Sequence, residues 1–353
     1  MKRILVWGLS NNRAGTEAVI YNYASRIHEV AFDFLCYDYP ENYRDLIEGE
    51  SPNRFFVIPI KIKHPIEYER QLRSFMAEHG PEYCALWFNV NDAANIDLLS
   101  FAKRAGIERR ITHIHNSGVE DRLITKVATA LNKEKCNRLT TERWACSESA
   151  GKFLYGDRDF RIIPNMVDAA RFEFDETKRA MVRQEYGLQD NFVIGTMGRL
   201  NDQKNPMFLV ELLPELLELR PDATWLCVGD GPLREAMKAR AAELGVLQAV
   251  VFSGVQMDAQ AFYSAFDVYA MPSLYEGLSL AMLEAQFNGL PCVVSEGVGA
   301  DSVISSSVAR LPFDKKDAWA KALASADRDG SELLSVASRF DLANADEVAA
   351  TLF

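Results

Sequence analysis

Apolar residues in this chain come in short continuous runs separated by longer stretches of mixed polarity, and the runs fall into two series. The first series occupies residues 3–8, 31–37, 54–60, 84–89, 109–114, 143–146 and 160–163. The second restarts at 191–198 and continues through 223–228, 249–253, 266–271 and 292–295. Short apolar runs bounded by turn residues fit strands buried on both faces, and intervening stretches such as 205–219 and 232–244 read as helices. Strands alternating with helices predict parallel sheets, so two doubly wound, Rossmann-like α/β domains in tandem are expected. Pro164 and Asn165 punctuate the chain between the series. They put the domains at 1–165 and 166–353, with 169–190 as a connecting helical segment. From Ser331 onward only a weak helical pattern remains, in Leu333, Leu334, Val336 and Ala337. A C-terminal helix there is free to pack back on the N-terminal domain.

Composition adds little to the fold and narrows the function. The 353 residues are 48% hydrophobic and 25% charged, an ordinary globular balance. Six cysteines, Cys36, Cys84, Cys136, Cys146, Cys227 and Cys292, contain no C-x-x-C pair, and they read as reduced residues of a cytoplasmic protein. The apolar stretch before Ser10 is too short for a signal peptide or a span and reads as a first strand. Net charge is −11. Residues 1–165 hold 23 Lys/Arg against 22 Asp/Glu, leaving 16 and 28 for the rest. The acidic balance disfavours nucleic acid. In the near-neutral first half, Lys126, Lys133, Lys135 and Arg138 share one helical stretch. They read first as a solvated helix face and second as a weak contact with the inner, anionic face of a membrane.

The candidate chemistry sits where strand-like runs end. At 272–295 two glutamates, Glu276 and Glu284, flank Gly277, Leu278 and Ser279, which open a helix. Backbone N–H groups at a helix start favour an anion, and glycine allows close approach. The arrangement suits a phosphate-and-sugar pocket. Gly198, Arg199 and Leu200 end another strand, with Lys204 just beyond; a guanidinium fork and an ammonium point charge could grip the same phosphate. Gly229 and Gly231 make a strand-end turn, and Gly254 ends the following strand. In the first half the loop Asn11–Glu17, containing Arg13, Gly15 and Thr16, follows the first strand. It lacks the G-x-G-x-x-G pattern of a dinucleotide site. His113 and His115 alternate onto one side of a strand end, followed by Asn116 and Ser117. The pairs Asp157/Asp159 and Asp327/Asp329 have the spacing of a metal-and-diphosphate dyad, but each lies in a polar loop or helix end and reads as solvated surface. No zinc spacing and no Gly-x-Ser-x-Gly elbow occurs.

Taken together, the Ala14-Gly15-Thr16-Glu17 loop, His115, Ile163-Pro164-Asn165-Met166-Val167-Asp168, Gly198-Arg199-Leu200 with Lys204-Asn205, Val228-Gly229-Asp230-Gly231-Pro232, Phe252-Ser253-Gly254 and the Glu276-x7-Glu284 spacing resemble one family. The chain is similar over nearly its whole length to family 4 retaining glycosyltransferases, the glycosyl transferases group 1, of the two-domain GT-B fold. The run Glu284-Ala285-Gln286 through Gly289-Leu290-Pro291 is most like bacterial enzymes of exopolysaccharide or capsule synthesis. Two positions depart from the pattern: Ala14 stands where many members have glycine, and Met166 replaces the glycine of a Pro-Asn-Gly-Val-Asp turn. The resemblance implies a nucleotide-sugar donor bound mainly by the second domain, with Gly15, Gly198, Gly229, Gly231 and Gly254 around it. Arg199, Lys204 and the N–H groups of Gly277, Leu278 and Ser279 would hold its diphosphate in place of a metal ion, so no metal and no other cofactor is expected. Glu284 would take the ribose, Glu276 the donor sugar, and His115 would reach the same sugar from the first domain. Arg13, Thr16 and Asn116 would lie on the acceptor side. The expected reaction moves a hexose or N-acetylhexosamine from a UDP-sugar to a glycan or lipid-linked sugar acceptor with retention. A nucleotide-sugar 2-epimerase of the same fold and a catalytically silent nucleotide-sugar-binding partner are the alternatives.

Overall fold

A computed structural model describes all residues except 12–14, 49–50, 120–122 and 329–331. The chain forms two compact units, Met1–Met166 with Leu342–Phe353, and Val167–Asp341. Where the chain leaves the second unit it pairs with the point where it entered. Val167 and Asp341 form a parallel bridge, and the Val167 N–H donates to the Phe340 carbonyl at 2.8 Å.

The first unit is built on seven parallel strands: β1 (Lys2–Trp7), β2 (Val30–Cys36), β3 (Arg54–Val57), β4 (Tyr83–Val90), β5 (Arg109–Ile114), β6 (Glu142–Ala145) and β7 (Arg161–Ile162). Their order is β3-β2-β1-β4-β5-β6-β7. Helices α1 (Gly15–Ala24), α2 (Pro65–His79), α3 (Asp97–Arg104), α4 (Leu123–Leu139) and α5 (Glu148–Tyr155) connect them. Strand β2 is buried along its whole length, as a strand covered on both faces must be. The one charge it carries, Asp33, accepts hydrogen bonds from Arg3, Arg54 and the Tyr83 hydroxyl. A buried carboxylate is tolerated only with such partners. The C-terminal stretch is part of this core. Phe353 packs 5.8, 5.6 and 5.7 Å from the rings of Phe32, Trp87 and Trp144, and Arg109 donates to the Leu352 carbonyl at 2.7 Å.

The second unit carries six parallel strands in the order β10-β9-β8-β11-β12-β13. They are β8 (Phe192–Met197), β9 (Ala223–Val228), β10 (Val250–Gly254), β11 (Val268–Met271), β12 (Cys292–Ser295) and β13 (Val308–Leu311). Around them lie α6 (Glu176–Tyr186), α7 (Pro206–Leu219), α8 (Arg234–Glu243), α9 (Ala259–Ala265), α10 (Leu280–Phe287) and α11 (Lys316–Ala324). The edge strand β13 is absent from the expected series. Residues 332–334, expected as weakly helical, instead pair with 304–306, and a short 3₁₀ segment follows at Ser335–Phe340. The middle residue of the Asp327/Asp329 triplet, Arg328, is structural. Its guanidinium donates to the carbonyls of Tyr263 and Phe266 at the end of α9 and of Asn288 at the end of α10, where cations and extra donors are favoured. Asp329 itself lies outside the described residues.

Candidate active site

In the second unit the candidate residues gather at the carboxyl ends of β8, β9 and β11. Close backbone packing builds this rim. A Cβ on Gly229 would lie 1.9 Å from the Gly198 carbonyl oxygen, and one on Gly231 2.3 Å from that of Leu200. Gly198 and Gly229 also have φ of 144° and 130°, which side chains rarely permit. The Gly198 N–H donates to Val228, Leu200 to Asp230, and Gly229 to Gly254. The glycines are thus required by the way three strand ends lock together.

Loop 201–205 springs from this rim and delivers Lys204. Asn201 Oδ1 accepts from the Lys204 N–H at 3.1 Å, and Asn205 turns the chain into α7 with φ 49° and ψ 47°, a conformation asparagine tolerates better than most residues. Gln203 ties the loop to the segment after β11. Its carbonyl accepts from Leu274, and its side chain donates to Tyr275 at 3.1 Å. On that segment Glu276 is 6% exposed, and its carboxylate accepts from the Lys204 ammonium at 2.7 Å. The Glu276 N–H is held by Gly297 at 3.0 Å. A Cβ on Gly297 would strike the Leu274 carbonyl at 2.3 Å, so that glycine fixes the approach of Glu276. Arg199 is exposed and among the described residues makes no ion pair. It lines a hollow of about 30 Å³ with Gly198, Lys204, Met271, Pro272 and Ser273, room for little more than a water.

Glu276 and Glu284 flank the same strand. Buried Tyr269 on β11 has its phenol pushed well above the usual range by burial first, then by Cys292 and by both carboxylates. Glu284 follows the buried segment Gly277, Leu278 and Ser279 by one helical turn. Ser279 makes no side-chain cap at the start of α10, leaving that helix end to backbone donors. The Tyr263 hydroxyl donates to Glu284 at 2.8 Å and to the Ala281 carbonyl at 3.0 Å. Burial pushes the Glu284 carboxyl up to about 6, with the Tyr263 hydrogen bond and Arg171 opposing the rise.

In the first unit the candidates cluster at the ends of β1, β4 and β5. His113 and His115 are both buried, with ring centres 4.1 Å apart. Burial, with His115 beside it, holds His113 well below the usual imidazole range, and burial alone pushes His115 down to about 3. Both are neutral near pH 7, and the hydrogen-bond network assigns their tautomers. His113 Nδ1 accepts from the Trp87 indole at 3.4 Å. Asn89 donates its NH₂ to the carbonyls of Trp7 and Trp87 and so turns its oxygen toward His115 Nε2, 2.9 Å away. His115 therefore donates from Nε2 and leaves Nδ1 as a buried acceptor with no partner among the described residues. An unsatisfied buried acceptor calls for a donor. Asn89 and Gly8, whose Cβ would meet Asn89 at 2.7 Å, were not expected from the sequence. Thr16 lies nearby in the same unit and donates to Asn91 at 3.3 Å. Asn116 accepts from the Ser117 N–H at 2.9 Å. Gly15 opens α1 in open space, so packing does not demand glycine there. Arg13 lies outside the described residues. Among the described residues no group of three His, Cys, Asp or Glu is placed to hold a metal ion.

The chain matches the family profile described as glycosyl transferases group 1 over residues 191–329, the stretch that contains Arg199, Lys204, Glu276 and Glu284. It is 31% identical over 252 residues to a GDP-mannose-dependent α-(1-6)-phosphatidylinositol monomannoside mannosyltransferase of Mycolicibacterium smegmatis, spanning 66% of this chain and 63% of that protein. Among solved structures, Anabaena HepE in complex with UDP and glucose superposes with a TM-score of 0.75 over 99% of this chain and 98% of that one, at 18% identity. The shared architecture is the GT-B arrangement of two Rossmann-like domains. The chain is also 30% identical over 312 residues, 84% of its length and 80% of the relative's, to the putative glycosyltransferase EpsF of Bacillus subtilis, and it belongs to the glycosyl transferases group 1 family.

Proposed function

We propose that this protein is a retaining glycosyltransferase that moves a hexose or N-acetylhexosamine from a UDP-sugar to a glycan or lipid-linked sugar acceptor in cell-surface polysaccharide synthesis, at the inner face of the membrane. The observation that carries the reading is the Lys204–Glu276 pair at 2.7 Å beside exposed Arg199, at the end of β8 and close to the start of α10. The donor's diphosphate is placed across the mouth of the small hollow that Arg199 and Lys204 line. Arg199 takes the phosphate oxygens in its fork, and Lys204, with three donors, shares itself between Glu276 and the phosphate. Negative charge growing on the departing diphosphate meets two fixed cations, so no divalent ion is needed. Ionised Glu284 accepts from the ribose hydroxyls. His115 offers Nδ1 to a hydroxyl of the donor sugar, and Arg13, Thr16 and Asn116 serve the acceptor.

The relatives' names leave the base divided, since the mannosyltransferase is described as GDP-mannose-dependent and HepE holds UDP. Titration calorimetry with UDP, GDP and ADP, first without metal and then with magnesium, decides. Metal-free binding selective for UDP is expected, and it should disappear in Arg199→Ala. Binding that appears only with magnesium would overturn the metal-independent reading, and selective GDP binding would overturn the uridine assignment. Retention is read from the anomeric configuration of the transferred sugar by NMR.

A further inference from the structure

The first unit carries apolar side chains that its own fold leaves in water. On α4, Leu123, Ile124 and Leu131 are 76%, 84% and 76% exposed, with Val127 half exposed on the same stripe. Positions 123, 127 and 131 fall at the four-residue spacing that keeps one helix face. Before and at the start of α2, Ile62 and Ile66 are 91% and 86% exposed. Single exposed leucines are ordinary; clusters of this kind on a monomer mark an interaction surface.

Topology puts the start of each cluster at the same edge of the unit, with the α4 stripe running from there along the helix. Helices α2 and α4 follow β3 and β5, so each begins at the carboxyl edge of the parallel sheet, and α3 packs against both. At the usual helix spacing of 8–10 Å the two clusters stand roughly 20 Å apart across α3. The loop bearing Ile62 is pinned there by Lys61, whose ammonium donates to Asp97 of α3 at 2.5 Å. Cations share this surface with the apolar groups, although exposed Glu67 and Glu69 stand beside Ile66 on α2. Lys126, Lys135 and Arg138 are exposed on α4, and Lys63 lies beside Ile62. Within α4 four basic residues face a single acidic one, Glu134, which pairs with Arg158 at 2.9 Å. This local excess stands out on a chain of net charge −11. Because charges are screened beyond about 8 Å at physiological salt, an anionic surface lying along the exposed face of α4 feels the cations of that helix more than the acids elsewhere on the chain.

We propose that the α2–α4 edge of the first unit docks on an anionic lipid bilayer, with Ile62, Ile66, Leu123, Ile124 and Leu131 entering the headgroup region and Lys63, Lys126, Lys135 and Arg138 lying over lipid phosphates. No helix among the described residues is long and apolar enough to cross a membrane, so the contact is interfacial and reversible. The inference deepens the reading of a lipid-linked acceptor, because a unit held this way meets acceptors in the plane where they reside.

Co-sedimentation of the full chain with vesicles tests it. Vesicles of mixed phosphatidylcholine and phosphatidylglycerol should carry the protein down, pure phosphatidylcholine vesicles much less, and high salt should release it. Lys135→Glu with Arg138→Glu should lower the partition coefficient at least roughly 25-fold, about fivefold for each cation removed. Leu123→Ser with Ile124→Ser and, separately, Ile62→Ser with Ile66→Ser should each weaken binding. Unchanged thermal unfolding and UDP calorimetry in these variants would show that fold and donor site are intact, so loss of vesicle binding reports on the surface alone. Equal binding to neutral and anionic vesicles, no binding by the wild type, or full binding by the variants would overturn the proposal. So would a dimer in solution that the same substitutions dissociate, since a second copy would then be the occupant.

Discussion

The two candidate sites use opposite electrostatics. In the second unit the groups are charged side chains and partly wet: Arg199 is exposed, Lys204 is a quarter exposed, and buried Glu276 pairs with that ammonium. In the first unit His115 is buried and kept neutral, and it can offer only a lone pair whose position Asn89 sets. Charges suit a diphosphate, whose own charge changes as the sugar leaves. A neutral acceptor suits a sugar hydroxyl, whose charge does not change. The difference also separates what holds each residue. Lys204 is placed by a loop anchored through Asn201 and Gln203, whereas His115 is placed by sheet strands packed around it.

The largest expected effect breaks the charged half. Lys204→Ala should lower turnover roughly 100- to 1000-fold, as loss of one preorganised donor does. It should also lower stability by on the order of 2–4 kcal/mol, because Glu276 is left buried without its cation. The double variant Lys204→Ala, Glu276→Gln separates the two consequences: stability should largely return, and turnover should not. Initial rates with a UDP-sugar and urea unfolding measure both. Recovery of turnover along with stability would mean that the pair is merely structural.

A smaller effect sharpens the neutral half. Asn89→Leu removes the acceptor from His115 Nε2 and frees the ring to adopt either tautomer. Donor kcat/KM should fall about tenfold, the worth of one hydrogen bond. The ¹⁵N shifts of the imidazole should change from those of a single Nε2–H tautomer in the wild type to a mixture. Asn89→Asp keeps the acceptor, so it should keep the tautomer, while the new carboxylate raises the imidazole pKa. A pH dependence absent from the wild type should then appear as the ring becomes charged on acidification. A mixed tautomer in the wild type would remove the role assigned to Asn89.

How much of this the sequence disclosed depended on whether a residue's neighbours were local. Runs such as 223–228 announce strands because both faces are buried and the whole run is apolar. Strand β13 escaped because it lies at the sheet edge and carries Arg310, so it lacks a continuous apolar run. Phe353 gives no local sign of its destination, since its partners Phe32, Trp87 and Trp144 come from three distant strands. In the site, Lys204, Glu276 and Glu284 stand next to turn glycines and helix starts and were legible there. Asn89 sits inside the apolar run Trp87-Phe88-Asn89-Val90, and nothing local shows that its oxygen faces a histidine 26 residues on. Gly229 and Gly231 were legible as a turn, but the backbone of Gly198 and Leu200 that makes them necessary was not.

The smallest effect concerns the one carboxylate that combines features of both sites. Glu284 is a carboxylate beside the donor groups of the second unit, yet burial pushes its carboxyl up to about 6, as burial keeps His115 neutral. The folded state therefore binds this proton more tightly than the unfolded chain, whose glutamate titrates near its ordinary value of about 4.3. The resulting stabilisation is complete below that value and is lost as pH rises through about 6. Glu284→Gln removes the titration while its oxygen can still accept from Tyr263. At pH 7 the variant should be more stable than the wild type by about 1–2 kcal/mol, and its stability should fall less between pH 4 and 7. Its donor affinity should drop about tenfold, because an amide offers the ribose one acceptor oxygen in place of two. Wild-type affinity should itself weaken below about pH 6 as Glu284 takes up its proton, and the variant should lack that dependence. A variant that is less stable than wild type at pH 7 would show that the charge is needed for the fold, and one that binds donor unchanged would remove Glu284 from the ribose.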